Sequence, residues 1–229
     1  MNFPSEYGGV TVEVELVFFT FRRRHGLTLS CYKGSVPDSA RILPRTFLVP
    51  RELPAAAVGR LLAEIHARTS LHPPAFAGAF VHDDRQVDHP TLSLTYVVIG
   101  STPSDSAEGI VPMTFGSSEE QIGHQDAVDA ARLVAIDLMS QLPIGPVLAP
   151  KRGESFTLSE LMAVHSAFLG SGVVIDRSNF RRRVESVPGY VKRVDPPEWF
   201  TPDIHRRGRP ESWYVPGGAT ELDPPLRFS

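Results

Sequence analysis

The chain has 229 residues, 41% hydrophobic and 21% charged, with 18 glycines and 21 prolines scattered without a period. That composition is too apolar for a disordered chain and too irregular for a collagen-like one, so a folded core is expected. The net charge of −3 hides an asymmetry, because residues 1–148 carry eleven basic and sixteen acidic side chains whereas 149–229 carry twelve and ten.

No apolar run reaches the roughly 18 residues that span a bilayer, and Met1–Val10 has neither a basic n-region nor an apolar h-region, so we expect an unsecreted protein with no membrane partner. The single cysteine, Cys31, excludes an internal disulfide and a multi-cysteine zinc site, and it reads as a packing residue in a reducing compartment.

Val10, Val12, Val14 and Leu16 alternate with Glu13 and Glu15 before an apolar run, Val17–Phe21, which is a strand pattern. Arg22–Gly26 is a polar turn, and Leu27–Tyr32 resumes the strand pattern, so the two segments are expected to pair as a hairpin. Pro54 followed by Ala55–Ala67 reads as a helix with Ala57, Leu61 and Ile65 on its apolar stripe. Phe76–Val81 and Leu92–Ile99 are further strands flanking the acidic loop Asp83–Asp88. Ser101–Gly116 reads as a loop. Val128, Ala131, Ala135, Leu138 and Leu142 recur at helical spacing from Asp126 onward. The proline- and glycine-rich Pro143–Gly153 then reads as a linker.

Beyond it, Thr157-Leu-Ser-Glu160 is a capping box, and Leu161, Val164 and Phe168 give the buried stripe of the helix it starts. Gly170-Ser-Gly172 breaks that helix, and Asp176 is placed to cap a second, Arg177–Ser186, whose Phe180 and Val184 face inward. Pro188-Gly189 stops it. Tyr190–Val194 and Ser212–Val215 are short strands around the basic loop Arg206-Arg-Gly-Arg-Pro210. Helix, turn, basic helix and two-stranded wing outline a winged helix-turn-helix.

Between Arg177 and Arg209 lie nine Lys or Arg against four acids. Helical geometry turns Ser178, Asn179, Arg181, Arg182 and Glu185 outward, a set suited to a DNA groove, since arginine reads guanine and asparagine reads adenine. With Arg177 and Arg183 on the same helix, and Arg206, Arg207 and Arg209 in the wing, these are the candidate DNA-binding residues.

In the first half, Leu43-Pro-Arg-Thr-Phe-Leu-Val-Pro-Arg-Glu52 followed by Arg60-Leu-Leu-Ala-Glu64 resembles the Nudix box, GX5EX7REUXEEXGU, without a gap. Thr46 stands at the first glycine, Glu52 at the first glutamate, Arg60 at the arginine, Leu62 at the aliphatic position and Glu64 at one glutamate of the pair. Leu61, Ile65 and Ala67 replace the remaining glutamates and the second glycine. Nudix hydrolysis needs a cluster of helix carboxylates around divalent metal, so this degenerate box implies no catalytic residues, no metal site and no enzyme. For Arg60 and Glu64 two readings stay open, an i, i+4 surface pair or contacts to a ligand.

A Nudix-like domain followed by a winged helix resembles the Nudix-related transcriptional regulators of NAD metabolism, the NrtR family. Phe156-Thr-Leu-Ser-Glu-Leu161, Asp176-Arg-Ser-Asn-Phe-Arg-Arg-Arg183 and Gly208-Arg-Pro210 carry the resemblance. It implies an α+β fold, a Nudix-like α/β/α sandwich over 1–148 for effector binding and dimerisation, and a C-terminal winged helix-turn-helix domain over 149–229. It further implies a cytoplasmic, nucleoid-associated homodimer that binds palindromic operator DNA and represses NAD biosynthesis or salvage genes. The effector it implies is ADP-ribose or NAD, with no required cofactor, and the effector-binding candidates are Arg45, Glu52, Arg60, Glu64 and Arg85. The alternatives are a metal-dependent ADP-ribose hydrolase using Glu52, Glu64 and Asp83 or Asp84, and a DNA-binding protein whose first half only dimerises. The eight histidines offer no metal-ligand spacing. No GxSxG, P-loop or GxGxxG pattern occurs, which leaves nucleophilic hydrolase, NTPase and Rossmann functions unsupported.

Overall fold

A computed structural model of the chain describes residues 6–7, 10–22, 26–32, 43–64, 69–70, 72–82, 90–101, 110–114, 124–149, 155–170, 173–198, 200 and 211–228. In chain order these form β1 (Glu6–Tyr7), β2 (Val10–Arg22), β3 (Gly26–Tyr32), β4 (Arg45–Phe47), α1 (Pro54–Glu64), β5 (Thr69–Ser70), β6 (Ala75–His82), β7 (Thr91–Ser101), β8 (Ile110–Thr114), α2 (Gln125–Gln141), α3 (Ile144–Leu148), β9 (Phe156–Thr157), α4 (Leu158–Leu169), α5 (Arg177–Ser186), β10 (Val191–Val194) and β11 (Trp213–Pro216). No described helix is long and apolar enough to cross a membrane. Two compact units result, Met1–Thr20 with Leu27–Ala135, and Phe21–Gly26 with Ile136–Ser229.

The first unit is built on a parallel pairing of β2 with β7, from Thr11 opposite Thr91 to Phe19 opposite Ile99. The sheet runs β5-β7-β2-β3-β8, with β1 and β4 also on β2 and β6 on β7. The expected β2–β3 hairpin is therefore present. On one face, Val14, Leu16, Phe18 and Val98 pack against Leu48 and against Ala57, Val58 and Leu61 of α1. Each fully buried side chain of this size contributes about 1.5–3 kcal/mol relative to exposure. Pro54 is the first helical residue, where its missing N–H costs nothing, and Ala57 and Leu61 are buried as their spacing requires. Ile65 and Ala67 lie outside the described residues.

The segment read as the loop Ser101–Gly116 contains a strand. Ile110–Thr114 forms β8, antiparallel to β3 with Pro112 opposite Ser30. Proline argues against a central strand, but β8 ends the strand order, and an edge strand tolerates a residue that donates no ladder hydrogen bond.

The second unit follows the sequence closely. Thr157 Oγ1 accepts from the Glu160 amide at 3.2 Å while Glu160 Oε2 accepts from the Thr157 amide at 2.8 Å, so the capping box satisfies two otherwise orphaned donors. Leu161, Val164 and Phe168 are buried on α4, and Gly170, at φ 82°, ends it. Asp176 accepts from the Asn179 amide at 2.7 Å and starts α5, whose Phe180 and Val184 are buried. β10 and β11 pair antiparallel, and β11 also pairs with β9. Tyr190 precedes β10 in a turn instead of opening it.

Pro143–Gly153 is not a linker through its described part. Residues 144–148 form α3, with Ile144, Gly145, Pro146 and Leu148 buried, and α3 packs on α4 and β11. Pro143 and Pro146, which read as breaks, cap α3 and lie in its first turn, where a helix has no internal partner for their missing donors. Gly145 is required by packing: a Cβ there would lie 2.6 Å from Tyr190 Oη and 2.7 Å from His165 Nε2, two buried groups that bond each other at 2.6 Å. Burial pushes His165 down to about 3, so the ring is neutral in this bond.

Gly145→Ala is accordingly expected to destabilise the chain by about 2 kcal/mol through overpacking, measured as a lowered urea midpoint. An unchanged midpoint would mean that the α3 contact is not close-packed.

Candidate functional site

The box-like segment closes on itself. Glu52 N donates to Val49 O at 2.9 Å across Pro50 and Arg51, and Arg51 takes φ 67°. Proline second and a positive φ third is the pattern of a type II turn. Glu52 Oε2 accepts from the Val49 amide at 3.1 Å and from Arg60 Nη2 at 2.9 Å, and Oε1 accepts from Arg60 Nε at 3.3 Å. The same guanidinium donates to Thr46 Oγ1 at 2.5 Å and to Phe47 O at 3.1 Å.

One arginine thus stitches β4, the turn and α1 together. Arg60 and the Val49 amide hold the Glu52 carboxyl below its usual range, and Glu52 in turn raises Arg60. Of the residues matched to the Nudix box, the structure brings together Thr46, Glu52 and Arg60. The principal partner of Arg60 is Glu52, eight residues away, and not Glu64, which is exposed one turn further along α1. Leu61, at a former glutamate position, is fully buried in the core.

The opposite face of the sheet carries a polar cluster that sequence reasoning missed. Glu13 and Glu15 are 1% and 0% exposed. Ser93 Oγ donates to Glu13 at 2.5 Å, Thr95 Oγ1 donates to Glu15 at 3.3 Å, and Arg45 lies 3.6 Å from Glu13. His124 Nδ1 hydrogen-bonds Glu15, which raises the histidine above its usual value. Thr91 Oγ1, next in the same row, is buried with no partner among the described residues. Strand alternation separates Arg45 from Thr46, so Arg45 shares this face and stands apart from Glu52 and Arg60. Two glutamates at i and i+2 in a largely apolar strand were the available signal, but their serine and threonine partners come from residues eighty positions away.

A divalent metal, which a Nudix-like fold implies, does not fit the donor set. Glu52 is committed to Arg60, Leu61 belongs to the core, and the described part of the box helix offers the single carboxylate Glu64.

On α5, Arg177, Ser178 and Arg182 are exposed, whereas Asn179, Arg181 and Arg183 are half-buried. Arg182 Nη2 donates to Asn179 Oδ1 at 3.1 Å, and Arg183 Nη1 donates to the carbonyl of Arg227. Arg181 Nε donates to both carboxylate oxygens of Glu185, at 3.2 and 3.3 Å. Arg85, the loop 83–88 with Asp83 and Asp84, and Arg206, Arg207 and Arg209 lie outside the described residues.

The two units together have the fold of a Nudix-like domain followed by a winged helix. Residues 153–195 match the family model of the NrtR DNA-binding winged helix domain. Over nearly its whole length the chain is similar to Shewanella oneidensis NrtR, both in a complex with a 27mer DNA (21% identity, 89% of this chain and 92% of that one, TM-score 0.60) and alone (20%, 92% and 97%, TM-score 0.62). It is also similar to a MutT/nudix family protein from Enterococcus faecalis (18%, 92% and 88%, TM-score 0.56). No curated protein matches in sequence. The resemblance read from the sequence holds: the fold is that of NrtR over nearly the whole chain, and residues 153–195 match the model of its winged helix domain.

The Arg60 clasp has a pH signature. Because Glu52 is lowered in the folded state, its stabilisation is present above the usual carboxylate range and lost as pH falls through the folded value. Unfolding free energy should therefore fall less steeply between about pH 6 and about pH 3 in Glu52→Gln or Arg60→Ala than in the wild type. Identical slopes would show that the clasp contributes nothing.

Proposed function

We propose that the protein is a ligand-responsive, DNA-binding transcriptional repressor of NAD biosynthesis or salvage genes, acting as a cytoplasmic homodimer on a palindromic operator. The observation that carries this reading is the match of 153–195 to the NrtR DNA-binding winged helix, in register with the capped α4 and α5. In this reading α5 enters the major groove with Arg177, Ser178, Asn179, Arg181, Arg182 and Arg183. Arg206, Arg207 and Arg209 of the wing contact the adjacent backbone or minor groove. Effector binding and dimerisation are assigned to 1–148 as read from the sequence and DNA binding to 149–229, although the contacts of 136–148, α3 included, group that stretch with the second unit.

The first half senses ADP-ribose or a related nucleotide without consuming it. Arg60, Glu64 and Arg85 are the proposed effector contacts. Glu52 supports them by holding Arg60, and Arg45 contributes from the polar face of the sheet. The lack of hydrolysis follows from chemistry, because the carboxylates that would gather metal are replaced by Leu61 and Ile65 or spent on Arg60.

Duplex binding should weaken steeply with salt. A dimer making about eight Lys or Arg contacts to phosphates gives a log–log slope of roughly −7. Fluorescence anisotropy across a salt series measures it, and a flat response would sink the DNA-binding reading.

Coupling to the effector is reciprocal. If saturating ADP-ribose lowers operator affinity tenfold, operator must lower ADP-ribose affinity tenfold, a coupling of about 1.4 kcal/mol. Paired titrations test this, with the recovered ADP-ribose expected intact after incubation with Mg²⁺. Equal operator affinities would remove ADP-ribose as the signal, and turnover on the order of 1 s⁻¹ would favour the hydrolase.

A further inference from the structure

The arginines of α5 differ in what holds them. Arg182 and Arg183 each engage a terminal Nη group with the protein, on Asn179 Oδ1 and on the Arg227 carbonyl. Arg177 is exposed in the first turn. Arg181 is held instead through Nε, by both oxygens of Glu185, and neither of its Nη groups bonds any described residue. A guanidinium gripped at Nε presents its two Nη groups end-on, the fork that matches guanine O6 and N7.

An exposed i, i+4 ion pair alone holds such a side chain weakly. Here the carboxylate is fixed from a second element. Tyr214 Oη donates to Glu185 Oε1 at 2.6 Å, and Tyr214 is 1% exposed on β11, with its ring stacked 6.5 Å from Phe156. Burial and Glu185 keep the phenol protonated, so it donates throughout the ordinary pH range.

Building on the reading that α5 enters the major groove, we propose that Arg181 reads one guanine in each half-site, and that Glu185 and Tyr214 are positioning residues that fix its guanidinium for that contact. Arg181 and Glu185 nearly cancel in charge, so the relay sets base preference and adds little to phosphate attraction. Arg182 and Arg177 are left for backbone or less selective contacts.

The test uses the full chain and a randomised duplex pool, from which the enriched duplex and its single-base variants are compared by competition anisotropy. In Tyr214→Phe, which removes only the hydroxyl, the preference for guanine at one position per half-site should fall about tenfold, with the salt slope unchanged. Glu185→Gln, which keeps an acceptor for Tyr214 but loses the charge that grips Arg181, should relax the same position. Arg181→Lys should abolish the preference, and adding Tyr214→Phe to it should change nothing further, which a merely structural tyrosine would not satisfy. Thermal unfolding checks that each variant is folded, and Glu185→Gln decides if Tyr214→Phe is not. Full guanine preference in both variants, or an equal loss of affinity for every duplex, overturns the proposal while leaving DNA binding intact. A wild-type chain that binds no duplex overturns both.

Discussion

The first unit depends on the parallel pairing of β2 with β7. Parallel strands joined by a long crossover are buried on both faces, and here the two faces are used differently. One is apolar and receives α1, which brings the box-like turn beside the helix that Arg60 ties to it. The other is apolar at Val17 and Phe19 but polar at Glu13 and Glu15, where the register that sets Glu13 opposite Ser93 and Glu15 opposite Thr95 supplies each buried carboxylate with a hydroxyl donor. A one-residue slip would exchange the faces and leave both carboxylates against α1, so the pairing register and the polar network enforce each other.

The box-like segment is held together by its own side chains. Glu52 and Arg60 hold loop and helix together, a structural task that does not need metal. Leu61 is fully buried and favours the helix–sheet contact. Arg51 remains at φ 67°, a conformation a glycine would take more easily, and the turn bonds around Glu52 hold it there.

The second unit places its basic helix on a rigid support. Two capped helices, the close packing of α3 through Gly145 and the His165–Tyr190 bond fix α4 and the turn before β10. The exposed face of α5 is thereby decoupled from its buried face, where Phe180 and Val184 anchor it. The proposed reading of bases by α5 needs that rigidity, because discrimination between bases rests on hydrogen-bond geometry.

Local signals in the sequence carried far in the second unit. The Thr157–Glu160 box, the Asp176 cap, the stripes on α4 and α5 and the β10–β11 hairpin are all short-range patterns, in which the residues that make an element also bound it. In the first unit β2, β3, β6, β7 and α1 were legible for the same reason, and so was the gapless spacing of Thr46, Glu52 and Arg60, whereas the short β1, β4 and β5 carried no pattern of their own. Proline misled twice, at β8 and at α3, because its local prohibition is lifted at a sheet edge and at a helix start, and only the fold says where those are. The burial of Glu13 and Glu15, the grip of Arg60 on Glu52 and the hold of Tyr214 on Glu185 were decided by tertiary structure alone. Each joins residues from different elements, and a side chain's partner across space is set by strand register and helix packing, which no local pattern contains.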